Sequence, residues 1–534
     1  MPRIGTGIHR RMSLARDSLA RDVTTVGSAT LLSRLLAFAR DMGIAAALGA
    51  GVFADAYFAA LQIPNLFRRL LAEGALNSAF VPAWLRIRDD GGPEAARRFA
   101  AGAFVTLAAA LLVVALAAAL FAPTVVRLLA PGFDPAGERF QWAVVFVRLG
   151  IPYIVLAGMV AVVASVLNAS GRVAAAAFGN VVFNIVLVTA VVFVVVRQDG
   201  LPITAGAFLS LAVVAAGIAQ LVVVGGALLR SAERPGRPAP SADIVPFLRQ
   251  ALPGVVAAGI PQLTLMAGAM VASSSPAAVA WLYYANRLYE LPLGVVSIVV
   301  ASVMAPMIAA HLRTGAGDDV AVAQSRALEI AVGLALPSAV AFVILAVPIA
   351  GGLFQRGAFS AHDTAMVAAA LAAMSAGLPG HVIEKVFAAV SFAHEDTRTP
   401  MTTALCGLAA AAFGALALFP AYGHVGVAAA IAGSGWVGAA LLGAILMRRR
   451  WLAFDRLARR RLPLLLGAAA LMGGAILFGH GALGGWFDIT GSSLARLSSL
   501  AVLVIGGLAV YVTALQVLGV VSVAGILASL RGRP

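Results

Sequence analysis

The chain has 534 residues, 61% of them hydrophobic and 11% charged, with a formal net charge of +15. A soluble domain carries about 25% charged residues, so that class is excluded, and the apolar runs lack the period-two alternation of a membrane barrel. The single cysteine, Cys406, excludes an internal disulfide and a cysteine-rich metal site.

Long apolar runs recur from Val23 to the C-terminus, each near the ~20 residues that a membrane helix needs. In chain order they predict helices at about 23–48, 54–84, 99–122, 142–168, 173–196, 201–229, 244–273, 276–310, 327–353, 364–391, 399–419, 424–447, 461–480 and 493–529. The expected fold is thus an all-α polytopic membrane protein of fourteen transmembrane helices. The first 21 residues are basic, but no small-residue cleavage site follows them, so the first span is read as a helix rather than a signal peptide.

The basic charge follows the loops. Arg3, Arg10, Arg11, Arg16 and Arg21 precede the first helix, and alternate loops then hold Arg86, Arg88, Arg97 and Arg98; Arg172; Arg230, Arg234 and Arg237; Arg313; Arg398; and Arg448 to Arg450 with Arg456, Arg459 and Arg460. The opposite loops hold little beyond Arg127, Arg139, Arg197 and Arg356. Such a bias sets orientation, with both termini expected in the cytoplasm. Basic charge here reads as topology, and no nucleic-acid partner is expected. Lys385 is the only lysine, which reads as coding bias.

Three segment pairs recur at one spacing. Arg127 to Phe133 has a counterpart in Leu353 to Phe359, Phe80-Val-Pro82 in Met304-Ala-Pro306, and Leu167 to Arg172 in Phe392 to Arg398. They predict a duplication of six helices, with both copies entering the membrane from the same side. The expected organisation is a tail over 1–22, an N-lobe over 23–229, a C-lobe over 240–447, two further helices over 461–529, and a cytoplasmic end over 530–534. Two lobes around a central cavity make the architecture in which alternating access comes from rocking.

Five arginines, Arg34, Arg40, Arg68, Arg69 and Arg287, fall near the middle of these spans. Each charge at that depth costs roughly 2.5–3.5 kcal/mol on insertion scales, so such residues normally face a watery cavity or a partner. Arg34 and Asp41 are seven apart and share one helical stripe, where they could partly neutralise each other. Arg69 and Glu73 are four apart and Arg287 and Glu290 three, both spacings that allow pairing. Asp55 opens the second helix. Structural ion pairing is therefore one reading of these charges. The other is an anionic, phosphorylated ligand, because five arginines meet only Asp41, Asp55, Glu73 and Glu290, and the guanidinium fork matches phosphate oxygens in two-point contacts. Lone polar residues in apolar helices, Asn180, Asn184 and Gln262, read as interhelical hydrogen-bond partners. Prolines such as Pro64, Pro152 and Pro292 fit either hinges or static kinks.

Leu31-Leu-Ser-Arg-Leu-Leu-Ala-Phe-Ala-Arg-Asp41 resembles the start of the MurJ/MviN family of bacterial lipid II flippases. The resemblance continues through Ala54-Asp-Ala-Tyr-Phe58, Ile63 to Arg69, Ala72-Glu-Gly-Ala75 and Ala79-Phe-Val-Pro82. Ala130-Pro-Gly-Phe133, Tyr283 to Leu288, Phe354 to Phe359 and Thr397-Arg-Thr-Pro400 extend it along the chain. It implies a MATE-like fold of the MOP superfamily and export of undecaprenyl-pyrophosphate-linked peptidoglycan precursor, lipid II, across the bacterial inner membrane. It further implies substrate-binding roles for Arg34, Arg40, Arg68 and Arg287, with Asp55, Glu73 and Glu290 beside them. A groove for the lipid tail at the last two helices follows as well. The expected partners are lipid II and membrane lipids, and the expected unit is a functional monomer alongside the cell-wall synthesis machinery.

Two positions depart from the family pattern, Asn286 where many members carry an acid and Gln62 where a base is frequent. Some members bind sodium through carboxylates of the seventh and eleventh helices, whereas Thr399 to Phe419 contains no acid here. No metal or cofactor is expected, and membrane potential, worth ~2.3 kcal/mol per charge per 100 mV, is an alternative drive. Enzyme readings find no HExxH, GxSxG or P-loop. The nearest rival is a transporter of the same fold that exports drugs or another lipid-linked oligosaccharide.

Overall fold

The computed structural model of the chain describes residues 5–72, 75–197, 202–234, 236, 244–314, 317–482 and 493–520, and every regular element among them is helical. The Ala- and Leu-rich runs have high helix propensity, and without water only a helix satisfies each N–H and C=O within its own segment. In order come α1 (Gly5–Leu48), α2 (Val52–Ala72), α3 (Ala75–Leu120), α4 (Ala122–Leu129), α5 (Glu138–Gly150), α6 (Tyr153–Ala169), α7 (Val173–Arg197), α8 (Pro202–Leu229) and α9 (Ile244–Ala272). The chain continues with α10 (Ala278–Val299), a π-helical turn (Val300–Met304), α11 (Ala305–Thr314), α12 (Gly317–Ile344), α13 (Ala346–Phe354), α14 (Ala361–Ser375), α15 (Leu378–Ala393), α16 (Arg398–Arg448), α17 (Arg456–Ala482) and α18 (Ser493–Val517). The stretch expected as a tail is helical from Gly5 onward, as part of the 44-residue α1.

By length and apolarity, nine stretches among the described residues can cross a bilayer, or ten when α14 and α15, bent by 42°, count as one span. Fourteen were expected. The difference arises partly because Val52–Leu120, 69 residues long, and Arg398–Arg448, 51 residues long, each contain two expected helices. One crossing needs only ~20 residues. Gly92 (φ 79°) and Gly423 (φ 56°) interrupt these tracks with left-handed backbone that glycine adopts without strain. Outward-facing side chains fit a lipid environment: Leu120 of α3 is 71% exposed, Phe413 of α16 72% and Phe478 of α17 81%. Such surfaces are aggregation liabilities in water.

The helices form two compact units, Met1–Leu263 and Thr264–Pro534, with the division inside α9. The sequence-based lobes place α9 wholly in the second. Its first half gives Phe247 to the core of the first unit, where the rings of Phe80, Phe99 and Phe247 lie 5.4 to 5.7 Å apart. Its last turns place Gly268 against Val427 and Ile431 of α16 in the second.

The same order of elements recurs in the two units. The short helix α4 begins at Ala122 and α13 at Ala346; α6 runs Tyr153–Ala169 and α15 Leu378–Ala393; α7 begins at Val173 and α16 at Arg398. Each pair is separated by about 225 residues, the spacing of the sequence matches. The loops after α4 and α13 bury Phe133 and Phe359 at corresponding positions. In the second unit α17 and α18 pack on each other and on α12. There the Tyr511 hydroxyl donates to the Gly333 carbonyl at 2.9 Å, and Gly473 lies against Val340 and Ile344.

Candidate functional site

On α1, Arg40 spends two donors on its neighbour, Nε and NH2 lying 2.9 and 2.8 Å from Asp41 Oδ1. Its NH1 reaches Asn184 Oδ1 of α7 at 3.4 Å. Asn184 Nδ2 in turn donates to Ser33 Oγ of α1 at 3.0 Å and to the Asn180 carbonyl at 3.0 Å. Gln220 of α8 closes the chain on Asn180 Oδ1 at 3.0 Å. Asp41, Asn184 and Gln220 are all buried. One polar ladder therefore ties α1, α7 and α8 together and aims the Arg40 guanidinium.

This overturns the expected sharing of Asp41 by Arg34. Seven residues of helix separate the two by about 10 Å along the axis, whereas the Arg40 side chain reaches its neighbour's carboxylate directly. Arg34 is instead exposed on α1 beside exposed Leu31, Leu32 and Leu35, with no polar partner among the described residues.

Asp55 lies in the first turn of α2, where the helix dipole favours a carboxylate. It is fully buried, and its Oδ2 sits 3.5 Å from Arg139 NH1 of α5. Arg139 also covers the Phe133 ring, 4.8 Å from its centroid. Further along α2, Arg68 and Arg69 are half-buried. Glu73, expected to pair with Arg69, lies outside the described residues.

In the second unit the expected Arg287 and Glu290 pair forms on α10, NH1 to Oε2 at 3.0 Å. Arg287 NH2 also donates to the Tyr283 hydroxyl at 3.0 Å, with the guanidinium 4.8 Å over that ring. Both contacts arise from helical spacings of three and four. They hold the cation in one orientation while each partner supplies acceptor density. Arg34, Arg40, Arg68 and Asp55 thus belong to the first unit, and Arg287 and Glu290 to the second.

Sequence reasoning missed the partners that come from distant helices. Arg139 is 84 residues from Asp55, beyond any local pairing rule. Asn180 and Asn184 were recognised as interhelical links, but their connection to Arg40 needed the fold. A second polar belt joins the α15–α16 turn to the segment before α17. There Asp396 accepts from the Thr399 backbone and hydroxyl and from Arg449. Burial raises the Asp396 carboxyl, but those hydrogen bonds and the Arg449 charge outweigh it and bring it down to about 2. His394 stacks on Trp451 at 4.2 Å, and burial lowers its imidazole from the ordinary value.

The described residues contain no group of three or more His, Cys, Asp or Glu able to hold a metal ion. What the site offers is guanidinium groups keyed by neighbouring acceptors, an arrangement suited to charge-assisted binding of an anion.

Known proteins share this plan. The family model "Lipid II flippase MurJ" matches residues 44–496. A probable lipid II flippase MurJ from Rhizobium meliloti (strain 1021) is 38% identical over 493 residues, covering 92% of this chain and 91% of its own length. Among solved structures, a lipid II flippase MurJ in an inward closed conformation superposes with TM-score 0.77 at 20% identity, covering 92% of this chain and 98% of that one. An inward-facing multidrug resistance MATE family transporter of the MOP superfamily gives TM-score 0.66 at 15% identity, over 80% and 98% of the two chains. At those identities the two structures establish the fold alone.

Proposed function

The chain belongs to the lipid II flippase MurJ family, multi-pass transporters of the bacterial inner membrane rather than enzymes, and from that premise we propose how it handles its cargo. The cargo is the pyrophosphate-linked lipid II, carried from the cytoplasmic to the outer leaflet with both termini of the protein in the cytoplasm. Two six-helix lobes rock between inward- and outward-open arrangements. Fourteen crossings follow when Val52–Leu120 and Arg398–Arg448 are each divided at their glycine breaks and the bent α14–α15 pair, α1 and α9 are each counted as one.

Arg34, Arg40, Arg68 and Arg287 bind the pyrophosphate in a cationic central cavity, with Asp55, Glu73 and Glu290 beside them. The last two helices, α17 and α18, guide the lipid tail. The working unit is a monomer beside the cell-wall synthesis machinery.

The observation that carries the anionic half of this reading is Arg34. It is an exposed cation on an apolar helix face, without a polar partner among the described residues. In hydrocarbon such a charge is expensive. Facing a path taken by a pyrophosphate, it has its counter-charge delivered by the cargo. Depleting the protein in its host while probing outer-leaflet lipid II from outside tests the assignment. Outer-leaflet lipid II should fall; undiminished levels in a host with no second flippase would overturn it.

A further inference from the structure

One titratable cluster in the second unit stands apart from the arginines. It occupies the first turns of α15, just after the bend that separates α15 from α14, and comprises His381, Glu384 and Lys385 with Tyr289 of α10. The Tyr289 hydroxyl lies 2.8 Å from His381 Nδ1, and the same nitrogen is 3.1 Å from the Gly377 carbonyl. His381, Glu384 and Lys385 are half-buried.

The helix opposite meets these side chains with bare backbone. A Cβ at Gly438 of α16 would stand 2.5 Å from Glu384 Oε1 and 2.8 Å from Oε2, and one at Gly435 would strike the His381 ring. Gly377 and Gly380 of the bend likewise abut Ala432 and Trp436 of α16. The titratable turn is therefore seated directly on its neighbour.

Glu384 is the anomaly. A carboxylate inside an apolar span is costly when charged and unpaired. Lys385, next to it in sequence, acts on it through its charge, with no hydrogen bond between the two. No hydrogen bond or ion pair reaches Glu384 among the described residues. From α10 the facing group is Tyr289, from α15 itself His381 and Lys385, and α16 presents the backbone of Gly435 and Gly438. Of the other helices packed on α15, α11 carries His311, within 2.8 Å of the Met307 carbonyl, and α12 carries Glu329, held by Arg326 and Arg461.

We propose that Glu384, with His381 and Tyr289, forms a proton-binding site through which the second unit couples cargo movement to a proton gradient. The carboxylate takes one proton to become the neutral acid and releases it as the carboxylate, so no other reactant is needed. As the neutral acid it sits on Gly438 at little cost, whereas the anion draws water into the α15–α16 seam and loosens α15 beside its bend. Tyr289 carries that change to α10, the helix of Arg287 and Glu290. The inference rests on the proposed flippase function.

The test uses the full-length protein in vesicles loaded with lipid II, with membrane potential clamped and an acid-outside pH step imposed. The pH step should accelerate wild-type translocation, by up to about tenfold per pH unit for one coupled proton. An internal pH dye should record one proton entering per lipid moved. Glu384→Gln should abolish the acceleration while lipid II binding and the rate without a gradient persist. Glu384→Asp should restore the acceleration in part. A wild-type rate indifferent to the pH step, or acceleration retained by Glu384→Gln, overturns the proposal. Should Glu384→Gln fail to fold, the wild-type dye signal decides alone. Absence of any lipid II movement by wild type would instead overturn the flippase reading.

Discussion

Arg40 of α1 reaches Asn184 of α7, guanidinium NH1 to amide Oδ1 at 3.4 Å, and Asn184 returns to α1 by donating to Ser33 at 3.0 Å. A buried amide thus fixes both the helix pair and the direction of a cation. Asn184→Ala should leave Ser33 and one Arg40 donor without that partner, a loss on the order of 1 kcal/mol for each neutral bond. Transport should fall several-fold, and raised salt should not rescue it, since geometry rather than net charge is lost. Translocation rates at two ionic strengths check this.

Asp55 and Arg139 are expected to hold the start of α2 to α5. Asp55→Asn keeps the shape but removes the charge opposite a mostly buried arginine. Breaking a buried pair costs up to about 3–5 kcal/mol; the 3.5 Å separation and partial exposure of Arg139 put this one at the lower end or below. Thermal unfolding in detergent should shift downward more than lipid II affinity changes. The reverse ranking would make Asp55 chiefly a ligand-facing residue.

The duplication and the costly arginines were readable because each leaves a one-dimensional trace: a repeated segment spacing, or a charge inside an apolar run. The Arg287–Glu290 pair was equally local. Asp55 with Arg139 left no such trace, since their meeting depends on how α2 packs on α5. Arg34 with Asp41 misled because a shared stripe says nothing about reach along the axis. Glu384 carried the same signal as the arginines, an acid within the expected 364–391 span, yet its meaning depended on Gly438 of another helix.

Two glycines should respond oppositely to alanine. A Cβ at Gly377 would lie 2.6 Å from the Ala432 carbonyl oxygen, against backbone that cannot rotate away. Gly377→Ala should therefore destabilise by about 1–3 kcal/mol through overpacking. Gly467, inside α17, meets nothing within 4 Å, so Gly467→Ala should be neutral or stabilise by up to about 1 kcal/mol. Paired melting curves decide both.

Asp396 gives a pH signature. Its folded-state carboxyl sits at about 2, below the ordinary 3.8, chiefly because the Thr399 and Arg449 contacts outweigh burial. A depressed folded value means the stabilisation is complete above the ordinary value and fades as pH falls from near 4 toward 2. Asp396→Asn should therefore be less stable than wild type at neutral pH, with the gap closing across that window. A gap unchanged between pH 5 and pH 2 would contradict it.

The most direct measurement of the central claim compares two synthetic lipids with one tail and one sugar–peptide headgroup, joined either by pyrophosphate or by a neutral linker. Their translocation is followed in vesicles bearing wild type, Arg34→Ala or Arg287→Ala. A hydrogen bond to a charged group is worth about 1.5–3 kcal/mol, roughly 10- to 100-fold. Wild type should move the pyrophosphate lipid at least that much faster, and either substitution should erase most of the preference. Equal movement of both lipids by wild type, or an undiminished preference in both variants, would contradict pyrophosphate capture by these arginines.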